Sequence, residues 1–338
     1  MKNVTYLLGA GASAEALPVH LERTIDSQKF PSLADSYLEL ARELGGYSGG
    51  MHNQLQLISK DLIWLHEGSK KFDTTDTYAK FLYANEDYSN LQKLKKVLSF
   101  FFVYQQFISK KIDSRALVFL TTLMKKGPVF PDNVKILSWN YDMQIQLAMR
   151  QFQEEKVGND RRHTSLIKYY PALAKGYHNS DYSMLHLNGI AGYKYSDQEG
   201  VVNPLVYNKL SNINEIIEWY NKANASLFDA LKFAWENDKK DPNMILSNLI
   251  SEDVDKIIQP ITNLTEILVI VGYSFPFFNR DIDSMIFKLI KSSTNLQKIY
   301  MQNPTLKGDF LYGQFSVPQH ISIVHIAECD NYFIPPEL

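Results

Sequence analysis

Apolar and polar positions fall into two kinds of block along this chain. Short continuous apolar runs that end in small or polar residues read as buried strands, and longer stretches with apolar residues three and four apart read as helices. Val4 to Leu8 is the first strand, and it enters Gly9-Ala10-Gly11-Ala12-Ser13 directly. Ala14 to Ile25 then reads as a helix broken early by Pro18. From Ser32 to Lys126 the spacing is helical, with segments Leu33 to Leu44, Gln54 to Leu65, Thr77 to Tyr83, Leu91 to Ile108 and Arg115 to Lys125. The tract Phe100 to Tyr104 is apolar nearly all round, so it is either internal core or an oligomer contact. Strand signals resume at Val134 to Trp139, followed by a helix from Met143 to Phe152, and again at Tyr182 to Leu187. Asn214 to Trp235 and Met244 to Ile258 form a second helical stretch. Ile267 to Val271, Leu296 to Met301 and Ile321 to His325 complete the strands, with a helix at Asp281 to Lys291.

Strands separated by helices imply an α/β fold: a Rossmann-like parallel sheet with helices on both faces. The expected organisation is one domain over residues 1–338, with large helical insertions at about residues 32–126 and 209–260.

Composition narrows the classes. The 338 residues are 45% hydrophobic and 21% charged, which is globular. The formal net charge of −2 gives no basic field, and Lys93, Lys95 and Lys96 read as a solvated helix face, so direct nucleic-acid binding is not expected. One cysteine, Cys329, excludes an internal disulfide and a zinc module built from several thiolates. The eight histidines show no metal-ligand spacing such as H-E-x-x-H. The first residues do not form a signal peptide and no apolar run is long enough for a membrane span, so the expected location is cytoplasmic, with no metal and no membrane.

Ligands of open α/β sheets bind at the carboxyl ends of the strands. Four groups of chemically useful residues fall there. Gly9 and Gly11 let a phosphate approach the main chain and Ser13 offers a hydroxyl; the plain alternative is a tight turn. The usual third glycine of a dinucleotide fingerprint is missing, and no Gly-Lys-Ser/Thr follows. Asn140 and Asp142 place an amide and a carboxylate after a strand, where Asp142 is as well suited to capping the next helix as to a ligand. His186 and Asn188, if extended, share a strand face roughly 6–7 Å apart, and His186 suits a general base. Gly272 and Ser274 follow Ile267 to Val271, and Asn303 ends the next strand.

In this order along the chain, the motifs GAGAS, Asn-Tyr-Asp, His with a nearby Gly, Gly-Tyr-Ser and a strand ending in Asn303 resemble the sirtuin (SIR2) superfamily, most closely the bacterial SIR2-like NAD hydrolases of anti-phage defence. The resemblance implies that NAD+ is a consumed substrate. Gly9, Ala10, Gly11 and Ser13 would contact its pyrophosphate, as would the loop of Gly272 and Ser274. Asn140 and Asp142 would lie near the nicotinamide ribose, with His186 as the catalytic histidine and Asn188 beside it, and Asn303 near the adenosine ribose. The loop at Cys329 and Asp330 would lie by the adenine. Three departures stand out. The four-cysteine zinc module cannot be built, Pro18 is followed by Val19-His20-Leu21 in place of Asp-Phe-Arg, and Asn188 stands where the family has His before Gly.

The implied activity is hydrolysis of the nicotinamide–ribose bond to nicotinamide and ADP-ribose, through an oxocarbenium-like transition state. Two alternatives stay open: an NAD-dependent deacylase without zinc, and a non-catalytic NAD- or ADP-ribose-binding subunit of a larger assembly. The chain is further expected to be a regulated homo-oligomer, by the same resemblance with a partner ATPase, and the helical stretch from Ser32 to Lys126 with its Phe100 to Tyr104 tract is the surface suggested for such contacts.

Overall fold

Strand β1 (Val4–Leu8) is apolar or β-branched throughout and buried at every position. A strand of that composition belongs in the middle of a parallel sheet covered on both faces, and β1 is the central strand of seven. The computed structural model describes residues 1–20, 23–25, 28–48, 50–124, 127, 129–154, 167–170, 182–196, 200–202, 210, 212–222, 228–236 and 254–338. They form two compact units. One comprises Met1–Glu15, Ile112–Gly189 and Ala234–Leu338; the other comprises Ala16–Lys111 and Ile190–Phe233.

The first unit holds the large sheet. After β1 come two short strands of the second unit, β2 (Arg23–Ile25) and β3 (Gln28–Phe30). The sheet continues with β4 (Val134–Ser138), β5 (Tyr169–Tyr170) and β6 (Met184–His186). The strands β7 (Gly189–Ser196), β8 (Gly200–Val202) and β9 (Phe228–Leu231) form a separate three-stranded sheet in the order β8-β7-β9. Then β10 (Ile267–Val271), β11 (Lys298–Gln302) and β12 (Ser322–Ile326) return to the large sheet. Its order is β12-β11-β10-β1-β4-β6-β5, and every pairing is parallel. The chain steps outward from β1 on one side and later returns to pair with β1 on the other, which makes β1 the switch point of the Rossmann-like topology.

Alternate side chains of these strands face opposite ways. Leu7, Leu137, Leu268, Ile270, Ile299 and Met301 pack with Ile286, Phe287 and Ile290 of the helix Arg280–Ser292. On the other face, the Tyr6 ring meets Phe119 edge-on at 4.9 Å between centroids. Phe119 belongs to the helix Ser114–Leu123, which lies inside the stretch read as the first insertion but belongs to the sheet unit.

The second unit is mostly helical: α1 (Leu33–Gly45), α2 (His52–Lys71), α3 (Thr75–Ala84) and α4 (Tyr88–Val103), the last continuing as a π-turn over Tyr104–Ile108. Side-chain caps start three of them, with Ser32, Thr74 and Asp87 accepting the backbone N–H groups of Asp35, Thr77 and Asn90. Phe100 to Tyr104 are each at most 6% exposed, and Tyr37 packs edge-on against Phe101 at 4.8 Å. That tract is core of its own unit, so it is not a free surface for an oligomer.

Three sequence expectations are corrected. No helix runs from Ala14 to Ile25. After a 3-10 turn at Ala10–Ser13 the described residues there run through turn and coil to β2, because Pro18 disfavours helical backbone at Leu17 and the chain is tied instead by the Leu33 N–H to the Val19 carbonyl at 2.7 Å. The helix expected over Asn214 to Trp235 ends at Lys222, and Phe228–Leu231 pairs with β7 as a strand, tertiary pairing overriding helical spacing. Of Met244 to Ile258, residues 244–253 lie outside the described residues, and a helix is present at Val254–Thr262.

Candidate functional site

Register brings the last residues of six strands into one row: Ile326, Gln302, Val271, Leu8, Ser138 and His186. The backbone ladder continues one residue further. Asn303, Gly272, Gly9, Trp139 and Leu187 each donate their N–H to the preceding strand's end, at 2.8–3.0 Å. Gly9, Asn140, His186, Asn188, Gly272 and Asn303 therefore meet on one carboxyl edge, within the sheet unit.

The glycine loop is built around its neighbour. A Cβ on Gly9 would lie 2.5 Å from Tyr273 Cα, and one on Gly11 would lie 2.6 Å from Gly272 Cα. Gly272 itself has φ +59 and faces Gly11 just as closely. The three glycines are required because two backbones touch. The Gly9, Gly11 and Ala12 N–H groups go to the carbonyls of Val271, Gly272 and Gly9. Those amides are already used within the loop and its neighbour. Ala10 at the apex is exposed, and so is Ser274.

A buried ion pair that the sequence reading missed holds the loop from behind. Arg115 and Asp113 bond through Nη2–Oδ2 at 2.6 Å and Nε–Oδ1 at 3.0 Å, with the two residues 6% and 0% exposed. Arg115 also donates to the carbonyls of Gly11, Ala12 and Cys329 at 3.0–3.2 Å, and the Tyr332 hydroxyl donates to Ala12 at 2.6 Å. The sequence signal was limited to a cap: Asp113 accepts the Arg115 N–H at the start of its helix.

At the ends of β4 and β6 the side chains are differently arranged. Asn140 Nδ2 donates to Ser13 Oγ at 3.1 Å, and the Ser13 hydroxyl donates to the Asp142 carboxylate. Asp142 also accepts the Gln144 N–H at 3.0 Å, so it caps the helix Gln144–Glu154 while facing this network. Burial pushes the Asp142 pKa up to about 6, against its hydrogen bonds from Ser13 and Gln144.

His186 is 2% exposed and both ring nitrogens are engaged. Nδ1 donates to the Asn140 carbonyl at 3.2 Å, which leaves Nε2 to accept from Gln146 Nε2 at 2.6 Å. Burial lowers the His186 pKa to about 4, so the ring is neutral. Asn188 does not continue the strand. β6 ends at His186, Leu187–Asn188 is a turn before Gly189 at φ +71, and Asn188 Nδ2 donates to the Trp139 carbonyl at 3.1 Å. The shared strand face expected for His186 and Asn188 is therefore replaced by a turn that anchors them on consecutive carbonyls, those of Asn140 and Trp139.

A second buried carboxylate braces the edge. Asp283, 1% exposed, accepts from Trp139 Nε1 at 3.1 Å and from the Tyr273 hydroxyl at 2.7 Å. It ties the ends of β4 and β10, the two strands that flank β1, and burial pushes its pKa up to about 7. The sequence did hold a signal: Asp283 sits on the apolar stripe of its helix with Ile286, Phe287 and Ile290. Asn303 serves its own turn, its Oδ1 accepting the N–H groups of Thr305 and Leu306 at 3.0 and 2.8 Å.

Among the described residues no group of three or more His, Cys, Asp or Glu side chains is placed to hold a metal, and no helix is long and apolar enough to cross a membrane. No protein-family model matches the chain, and no curated protein matches it significantly.

Proposed function

We propose that this chain is a SIR2-like NAD+ hydrolase that cleaves the nicotinamide–ribose bond to give nicotinamide and ADP-ribose. The observation that carries the reading is the Asn140–Ser13–Asp142 relay, set at the switch point of a parallel sheet. Its residues are a neutral amide and a carboxylate with a raised pKa, which suit a reaction that develops positive charge on a sugar. As the bond between ribose and nicotinamide breaks, its electron pair leaves with the neutral nicotinamide. Water adds its oxygen to the ribose carbon and gives its proton to Asp142. Asn140, held at Nδ2 by Ser13, orients the ribose or the water. His186 is a positioning residue in this scheme, since its Nδ1 proton fixes the Asn140 carbonyl.

A dinucleotide held here would meet Ala10 and Ser274 as exposed groups of the glycine-loop side, with Ser13 shared between loop and relay. Homo-oligomerisation, an ATPase partner and a place in phage defence belong to the same proposal and have their support in the sequence resemblance alone.

A second reading, an NAD- or ADP-ribose-binding subunit without turnover, draws on the His186 ring, which is neutral and bonded at both nitrogens. Incubation with NAD+ and chromatography of the products separates the two. The hydrolase releases nicotinamide and ADP-ribose in equal amounts, and Asn140→Ala, which removes an orienting group, lowers the rate by about 10². Tight binding with no products would leave the binding subunit, and neither binding nor products would refute both.

A further inference from the structure

Among the described residues, two buried amide oxygens of side chains tied to the Trp139 and Asn140 backbone have no donor. Asn188 Oδ1 and Gln146 Oε1 are buried, in residues 5% and 4% exposed, and neither has a hydrogen-bond partner among the described residues. The opposite end of each amide is committed. Asn188 Nδ2 donates to the Trp139 carbonyl at 3.1 Å, and that carbonyl can only accept. Gln146 Nε2 meets His186 Nε2 at 2.6 Å. Because His186 Nδ1 donates to the Asn140 carbonyl, Nε2 is the lone-pair nitrogen and Gln146 must turn its NH2 toward it. These contacts fix which end of each amide is oxygen, so the two orphans are both acceptors.

Buried acceptors left without a donor are costly and uncommon in folded proteins, and they recur where a ligand or an ordered water completes them. Both are anchored on consecutive residues, Asn188 on Trp139 directly and Gln146 on Asn140 through His186. Asn140 is the residue that the proposed reaction sets at the breaking bond, and the inference rests on that reading. We infer that Asn188 and Gln146 are specificity-determining residues whose free amide oxygens accept the N–H groups of the substrate's primary carboxamide. Amide oxygens that can only accept reject a carboxylate by repulsion, and they gain nothing from a neutral group that has no N–H.

The probe is the NAD+ analogue in which a methyl ketone replaces the carboxamide, which is neutral and similar in shape. NAD+ and this analogue compete against fluorescent ADP-ribose for the full-length protein, read in the first moments after mixing so that turnover is negligible. Wild type is expected to prefer NAD+ by about 100-fold, the net worth of two neutral hydrogen bonds that the ketone cannot make. Asn188→Leu and Gln146→Met are expected to bring that ratio toward one while labelled ADP-ribose, which lacks the carboxamide, still binds. Equal affinity of wild type for the two dinucleotides, with ADP-ribose bound, overturns the inference and leaves the NAD reading standing; the oxygens are then water or ribose contacts. If labelled ADP-ribose does not bind, the NAD reading fails and the inference falls with it.

Discussion

Two corners of the same sheet edge are built on opposite principles. At the glycine loop the polar groups are used up internally. Three loop amides reach backbone carbonyls, the Gly11 and Ala12 carbonyls accept from Arg115, and Arg115 is neutralised by Asp113. At the β4–β6 corner the bonding is incomplete. Among the described residues, Asn188 and Gln146 each keep a buried oxygen without a partner, and no cation is bonded to Asp142. A satisfied corner has little left to offer a ligand, whereas an incomplete one can be completed by a ligand. The familiar motif is thus mainly a support, and the proposed reading sets the chemistry beside it.

Removing one side of the support should have the largest effect on stability. Arg115→Met leaves Asp113 buried without its cation and takes one donor from each of the Gly11, Ala12 and Cys329 carbonyls, so it should cost about 3–5 kcal/mol. Urea unfolding measures this, and a loss under about 1 kcal/mol would mean that the loop does not depend on the pair. Next is Gly11→Ala, whose Cβ would lie 2.6 Å from Gly272 Cα. Overpacking of this kind costs about 1–3 kcal/mol, read as a lower thermal midpoint. An unchanged midpoint would return this glycine to a ligand role.

The smallest effect is a dependence on pH. Asp142 and Asp283 are raised from 3.8 to about 6 and about 7, so the native state binds their protons more tightly than the unfolded chain does. Their contribution to stability is full below pH 3.8 and is lost as pH rises through 6 to 7. His186 runs the other way: lowered from 6.5 to about 4, it contributes fully above 6.5 and loses that contribution as pH falls through 4. Asp283→Asn should therefore gain on wild type as pH rises from about 5 to about 8, in paired denaturation curves. A constant difference between the two would show that Asp283 is not charged by titration in that range.

Much of the sheet was legible. The runs Val4 to Leu8 and Ile267 to Val271 are the strands as observed, and the other long strands differ by one or two residues at an end. Uniform apolar strands advertise themselves because both their faces must be covered. The residues at the carboxyl edge were legible for the same reason, since strand ends are defined by strands. What could not be read were contacts across long sequence distances. Gly9 and Gly11 look alike whether a phosphate or Gly272 approaches them, and only the fold shows Gly272 there. Arg115 meets Gly11 across 104 positions and Cys329 across 214. Periodicity carries no information about such pairs. The turn at Leu187–Asn188 was hidden because two polar residues two apart also fit a strand.

The most direct test of the central claim follows nicotinamide release from NAD+ against pH for wild type and Asp142→Asn. If the β4–β6 corner carries the chemistry, the wild-type rate rises as pH passes about 6, where Asp142 gives up its proton, and Asp142→Asn is slow with no such rise. A folded Asp142→Asn protein with the wild-type rate and pH profile would contradict the account.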